Sequence, residues 1–196
     1  SAGFRHLLLK VKVGVAHQHG KEGEHSHAGT AFTTWLDLKQ AGQQAKAIRD
    51  ALVKRLPDSQ PILDENFSAL NKELSEVEAE LSEVAEKFGQ TPLVGSHPVY
   101  QYLARGYDLN IISVHWEPSV MPDAAGWEAL SNLRKKHPAK IMLWEEEPAK
   151  EIVEKLNELG VASVVFNPCG NRHRSLDWLA VMRTNISRLG AGPPKQ

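Results

Sequence analysis

A chain of 196 residues with 41% hydrophobic and 24% charged residues has the make-up of an ordinary globular protein, longer than one average domain and shorter than two comfortable ones. Its net charge of -1 argues against a nucleic acid or an anionic membrane surface as the main partner. No apolar run approaches the about 20 residues that span a bilayer, so any membrane association is peripheral, and the lone Cys169 excludes an internal disulfide.

Phe4 to Val15 carries leucines and then alternating valines, and reads as a strand. Between Gly14 and Gly29 the chain runs GVAHQHGKEGEHSHAG, with His17, His19, His25 and His27 among glycines and charges that cannot build a core. This stretch is expected to be a flexible, solvated loop. Imidazole is neutral and basic near pH 7, so four of them form an adaptable trap for zinc, copper or nickel. Ala31 to Asp37 leads into a helix from Leu38 to Leu56, with Ala41, Ala45, Ile48, Leu52 and Val53 on its apolar face. From Pro61 to Phe88, the residues Phe67, Leu70, Leu74, Val77, Leu81, Val84 and Phe88 recur at alternating spacings of 3 and 4. That pattern predicts one amphipathic helix about 40 Å long, a rigid strut that Gly89 ends.

Strands and helices then alternate. Strands are expected at TPLVGS, Leu109–Val114, Lys140–Trp144 and Ala162–Phe166, with helices at Pro98–Tyr107, Ala124–His137, Ala149–Leu159 and Leu176–Leu189. Such alternation means a parallel sheet with right-handed crossovers, whose ligands bind at the carboxyl ends of the strands. Those ends carry His97, the His115-Trp116-Glu117 run, the Glu145-Glu146-Glu147 run and Asn167. His97 also fits an N-cap or core role, Glu145 a solvated carboxylate, and Cys169 a small buried apolar residue. His6, His137 and His173 read as surface or strand-edge histidines, while Trp35, Trp127 and Trp178 read as packing residues.

The motifs HSHAGTAFTTWLDL, LVGSHPVYQYLARGYDL, LWEEEP and FNPCG, in this order, resemble the zinc/manganese-specific solute-binding proteins of bacterial ABC transporters. The resemblance implies an α/β fold of two parallel-sheet lobes joined by a long amphipathic helix. Residues 1–60 would be a partial N-terminal lobe with the His-rich loop, 61–88 the linking helix, and 89–196 a complete C-terminal lobe. The opening strands of such a first lobe, with the family's first metal-binding histidine, are missing. Ser1 is not an initiator methionine either, so a truncated polypeptide is expected. The third family ligand falls on His97, where histidine marks zinc-type members and glutamate manganese-type ones; Zn2+ is therefore implied ahead of Mn2+. The second falls on Thr33, a poor ligand that His25 or His27 must replace. The fourth, normally Asp, falls on Asn167, whose neutral amide binds zinc weakly. Glu145 enters as a ligand or as the partner that orients an imidazole.

The function so implied is extracytoplasmic, or periplasmic, capture of zinc and its delivery to an ABC-type membrane permease, with no catalysis. A second reading is a degenerate or accessory member that buffers metal on its His-rich loop. A third is a zinc hydrolase with His97 as ligand and a cleft glutamate as base. The sequence contains no HExxH, no nucleophile elbow and no Gly-rich phosphate loop to support it.

Overall fold

The computed structural model describes residues 8–11, 17–18, 24–25, 29–171 and 176–192. Near the start of the chain there are four two-residue strands: β1 (Lys10–Val11), β2 (His17–Gln18), β3 (Glu24–His25) and β4 (Gly29–Thr30). β1 pairs antiparallel with β4, and β2 with β3, which sets His17 opposite His25 in register. The His-rich stretch is thus not wholly the loop expected of it, because its backbone closes ladder hydrogen bonds on either side of Gly20 and Gly23. The expected strand from Phe4 to Val15 is described only at residues 8–11, and His6, His19, His27 and His173 lie outside the described residues.

A short 3-10 turn at Thr34–Leu36 leads into α1 (Leu38–Arg55), capped by Asp37, whose carboxylate accepts the Gln40 N–H at 3.1 Å. A second 3-10 turn at Pro57–Ser59 reverses the chain into α2 (Gln60–Phe88), which ends at Gly89 with a φ of 50°. The apolar faces predicted for these two helices are partly corrected. Ile48, Leu52 and Leu70 are exposed, whereas Leu38, Leu74, Val77, Leu81 and Ala85 are buried. The helices pair along their length, but only the start of α1 and the second half of α2 reach the core that the sheet provides.

That sheet has four parallel strands in the order β6-β5-β7-β8: β5 (Leu93–Gly95), β6 (Ile111–Ser113), β7 (Ile141–Trp144) and β8 (Ala162–Val165). Between and after them run α3 (Gln101–Gly106), α4 (Ala124–Lys136), α5 (Lys150–Glu158) and α6 (Trp178–Ala191). The fold is the α/β class expected from strand–helix alternation. Alternate residues feed the two faces of the sheet. Leu93, Ile141 and Leu143 join a core with Leu36, Leu81, Met182 and Leu189, while Val94, Met142 and Trp144 join Trp116, Trp127 and Leu130 on the other side. The expected helix Pro98–Tyr107 begins late, at Gln101, because the Val99 N–H closes a turn onto the His97 carbonyl at 2.9 Å. His137 is also corrected: it is buried, with Nε2 2.8 Å from the Leu93 carbonyl oxygen.

The TTWLD segment ties the early chain to the sheet through side chains. Thr33 Oγ1 donates to the Val99 carbonyl at 2.6 Å, and Trp35 Nε1 to the Pro168 carbonyl at 2.7 Å. Arg105 donates to Asp37 at 2.8 Å and to Gln40 at 2.6 Å, with its guanidinium stacked 4.9 Å above the Tyr102 ring. Leu81 is fully buried beneath these elements and Leu70 is 40% exposed. Leu81→Ala is therefore expected to cost about 2–5 kcal/mol in urea unfolding, and Leu70→Ala less than about 1 kcal/mol.

Candidate metal centre

Every candidate on the second part of the chain stands just past the carboxyl end of a strand. His97 follows β5, His115 and Glu117 follow β6, Glu145 follows β7 and Asn167 follows β8. The turn bearing His97 is built by close packing. A Cβ on Gly95 would come within 2.9 Å of the buried Tyr100 ring and 3.2 Å of the His97 carbonyl, so only glycine admits it. The Ser96 N–H donates to Leu143 O at 2.8 Å, and Ser96 O accepts the Trp116 N–H at 2.8 Å. The turn therefore continues the sheet ladder in both directions after β5 has ended. Tyr100 donates its hydroxyl to Phe166 O at 2.9 Å, which reaches across to the end of β8.

His97 is buried, with two carboxylates on its two ring nitrogens. Glu145 Oε1 lies 3.1 Å from Nδ1, and Glu117 Oε1 lies 3.4 Å from Nε2. Burial alone pulls the imidazole pKa down, but Glu145 and then Glu117 outweigh it, and the net shift is upward from 6.5. The His115 ring stands edge-on to His97 with centroids 6.0 Å apart, and His115 itself is exposed. Glu146 and Glu147 are exposed, so of the three consecutive glutamates Glu145 is the one turned to His97.

Asn167 is committed elsewhere. Its side-chain oxygen accepts the Cys169 N–H at 2.7 Å, and its backbone exchanges hydrogen bonds with the Asn185 amide at 2.9 Å and 2.8 Å. These bonds make it a turn-forming residue, with Cys169 at a φ of 56° completing the turn. Burial pushes the Cys169 thiol up to about 11, so it is protonated at neutral pH. Thr33 is fully buried and spends its hydroxyl on Val99 O. Sequence reasoning missed the anchoring parts of Thr33, Tyr100 and Asn185, because single hydroxyls and amides carry no periodic or motif signal. His25 is described only as part of β3, and His27 lies outside the described residues. Among the described residues no three His, Cys, Asp or Glu side chains converge as a ready metal cage. Part of the reason is geometric, since the two carboxylates sit on opposite nitrogens of one ring.

Comparison with known proteins places this architecture. Over residues 4–192 the chain matches the family described as ZnuA, zinc-uptake complex component A, periplasmic. It is 28% identical over 197 residues to the zinc-binding protein AdcA of Streptococcus pyogenes serotype M6, covering 96% of this chain and 38% of that protein. It is 26% identical over 200 residues to the high-affinity zinc uptake system protein ZnuA of Bacillus subtilis, covering 93% of this chain and 62% of the relative. The chain thus spans less than two thirds of the length of these relatives. In fold it is similar to the Zn(II)-bound ZnuA-like domain of Streptococcus pneumoniae AdcA, with a TM-score of 0.75 at 22% identity over 85% of this chain and 65% of that one. The metal-dependent lipoprotein YcdH of Bacillus subtilis gives a TM-score of 0.73 at 22% identity over 84% and 65% of the two chains. With its parallel sheet, its long helix and a match that runs almost from end to end, this chain belongs to the ZnuA family of zinc-uptake components.

Proposed function

We propose that this chain captures a divalent transition metal, zinc ahead of manganese, outside the cytoplasm and passes it to an ABC-type membrane permease. The observation that carries this reading is His97, a buried imidazole at a strand end, with Glu145 held 3.1 Å from its Nδ1. A carboxylate on one ring nitrogen fixes the tautomer and ring orientation, and raises the basicity of the other nitrogen toward metal. Glu145 is thereby the orienting partner, and Nε2 the donor to metal. Zinc is cargo here, so a solvent-facing site suits its work. The zinc-binding names of the streptococcal and Bacillus relatives support the choice of metal. No helix among the described residues is long and apolar enough to cross a membrane. The division into residues 1–60, 61–88 and 89–196 is part of the same proposal.

His25 and His27 would recruit metal from the His-rich stretch, and Asn167 would shape the cleft wall. A second reading, a protein that buffers metal on that stretch, draws support from the register that sets His17 opposite His25. Calorimetric zinc titration separates the two. His97→Ala is expected to abolish one tight site, and changing His17, His19, His25 and His27 together to Ala to remove weak sites only. Binding that survives His97→Ala and disappears with the other variant overturns capture at His97.

Two further outcomes follow from the surroundings of the ring. Glu145→Gln keeps the size and a polar contact but removes the charge, and is expected to weaken zinc binding about 10–100-fold. Protons compete with metal for His97, and its carboxylates favour the protonated ring. Affinity is therefore expected to start falling on acidification above pH 6.5, by about tenfold per pH unit once the ring is protonated, as read from titrations in a pH series.

A further inference from the structure

Among the described residues β6 lies at one edge of the parallel sheet and pairs only with β5. On the β5 side, Asn110 O accepts from Leu93 N and Val114 N donates to Gly95 O, both at 2.9 Å, and Trp116 N donates to Ser96 O at 2.8 Å. Even-numbered residues from 110 to 116 thus bond inward. Successive residues of a strand turn their backbone groups to opposite sides, so the N–H and C=O of Ile111 and Ser113 point away from the sheet. The Ile111 N–H makes a local 3.2 Å bond to Leu109 O, which an incoming carbonyl can share. Ile112, apolar and β-branched, is 41% exposed, whereas β8 at the opposite edge has no exposed side chain. From Leu109 to Trp116 the chain reads LNIISVHW, without a Lys, Arg, Asp, Glu or Pro. Those are the residues with which sheet edges ordinarily block the addition of another strand.

We propose that β6 is a self-association edge, pairing antiparallel with β6 of a second copy so that the two parallel sheets join into one. The pattern matches itself about a two-fold axis through Ile112. Ile111 of each copy then faces Ser113 of the other as a hydrogen-bonded pair, which uses the outward backbone groups of both. Ile112 faces Ile112 between those rungs, with Cβ atoms about 4.5–5.5 Å apart, so the exposed apolar residue of each copy is covered by that of the other. No carboxylate, lysine or arginine lies between Leu109 and Trp116 to bring like charges together across the pair. A joint of one short strand is a small interface, of the kind that holds in the micromolar range.

The test is analytical ultracentrifugation of the full chain without metal, from about 1 to 100 μM, with far-UV circular dichroism confirming the fold of each variant. Ile112→Lys places a charge on an exposed position, and Ser113→Pro removes an outward N–H without touching a bond to β5. A reversible dimer is expected in the parent, with its dissociation constant raised at least tenfold in both variants. Ile112→Cys is expected to give a disulfide-linked dimer on mild oxidation, because such a cross-strand pair has the spacing a disulfide needs. Leu159→Cys, at an apolar position 43% exposed elsewhere on the surface, is expected to stay largely unlinked. A parent that remains monomeric throughout overturns the proposal. A dimer that both variants leave intact also overturns it, and moves the contact to another surface such as exposed Ile48 and Leu52 of α1.

Discussion

Everything at this site depends on how the turn from Gly95 to Tyr100 is held. β5 ends at Gly95, yet the backbone goes on bonding to both neighbours, from Ser96 N to Leu143 and from Ser96 O to Trp116. Gly95 has no side chain because the Tyr100 ring occupies that space. Thr33 then fixes Val99 from the early part of the chain, and Tyr100 fixes the end of β8. A single imidazole is thereby placed at the meeting point of three strand ends without needing much side-chain freedom of its own. If His97 binds metal as proposed, the fold meets the cost of ordering that ligand in advance.

The same arrangement explains why charge gathers where it does. A buried imidazole is destabilised as a cation, but carboxylates on both sides reverse that preference. On the proposed capture reading, the same carboxylates would orient the ring or offer oxygen donors to an arriving metal. The Trp116–Trp127 pair, with centroids 4.7 Å apart, and buried Trp144 form a stiff floor behind the Glu117 and Glu145 loops.

Much of the fold was legible in the sequence because periodicity reports burial. The alternation after Gly89 gave all four parallel strands and the helices between them, and the 3-4 spacing gave α2. Leu70, Ile48 and Leu52 were misread because amphipathic spacing marks which side of a helix is apolar, not how far along it the core extends. His97, Glu145 and Glu117 were visible as polar residues at strand ends. Their mutual contacts were not, since they depend on the strand order β6-β5-β7-β8, which brings sequence-distant ends side by side. Asn167 was legible as a turn residue, but its hydrogen bond to Cys169 is local and leaves no trace in spacing. His137 looked like a surface residue because nothing in its own stretch records the distant Leu93 carbonyl.

The account turns on metal being held at the strand ends rather than on the histidine-rich stretch. Zinc-edge X-ray absorption of the stoichiometrically loaded protein tests that directly, because imidazole and carboxylate donors scatter differently beyond the first shell. The account predicts a shell of mixed nitrogen and oxygen near 2.0–2.2 Å with one or two imidazoles, unchanged when His17, His19, His25 and His27 are replaced by Ala. A shell of three or four imidazoles that collapses in that variant would contradict it.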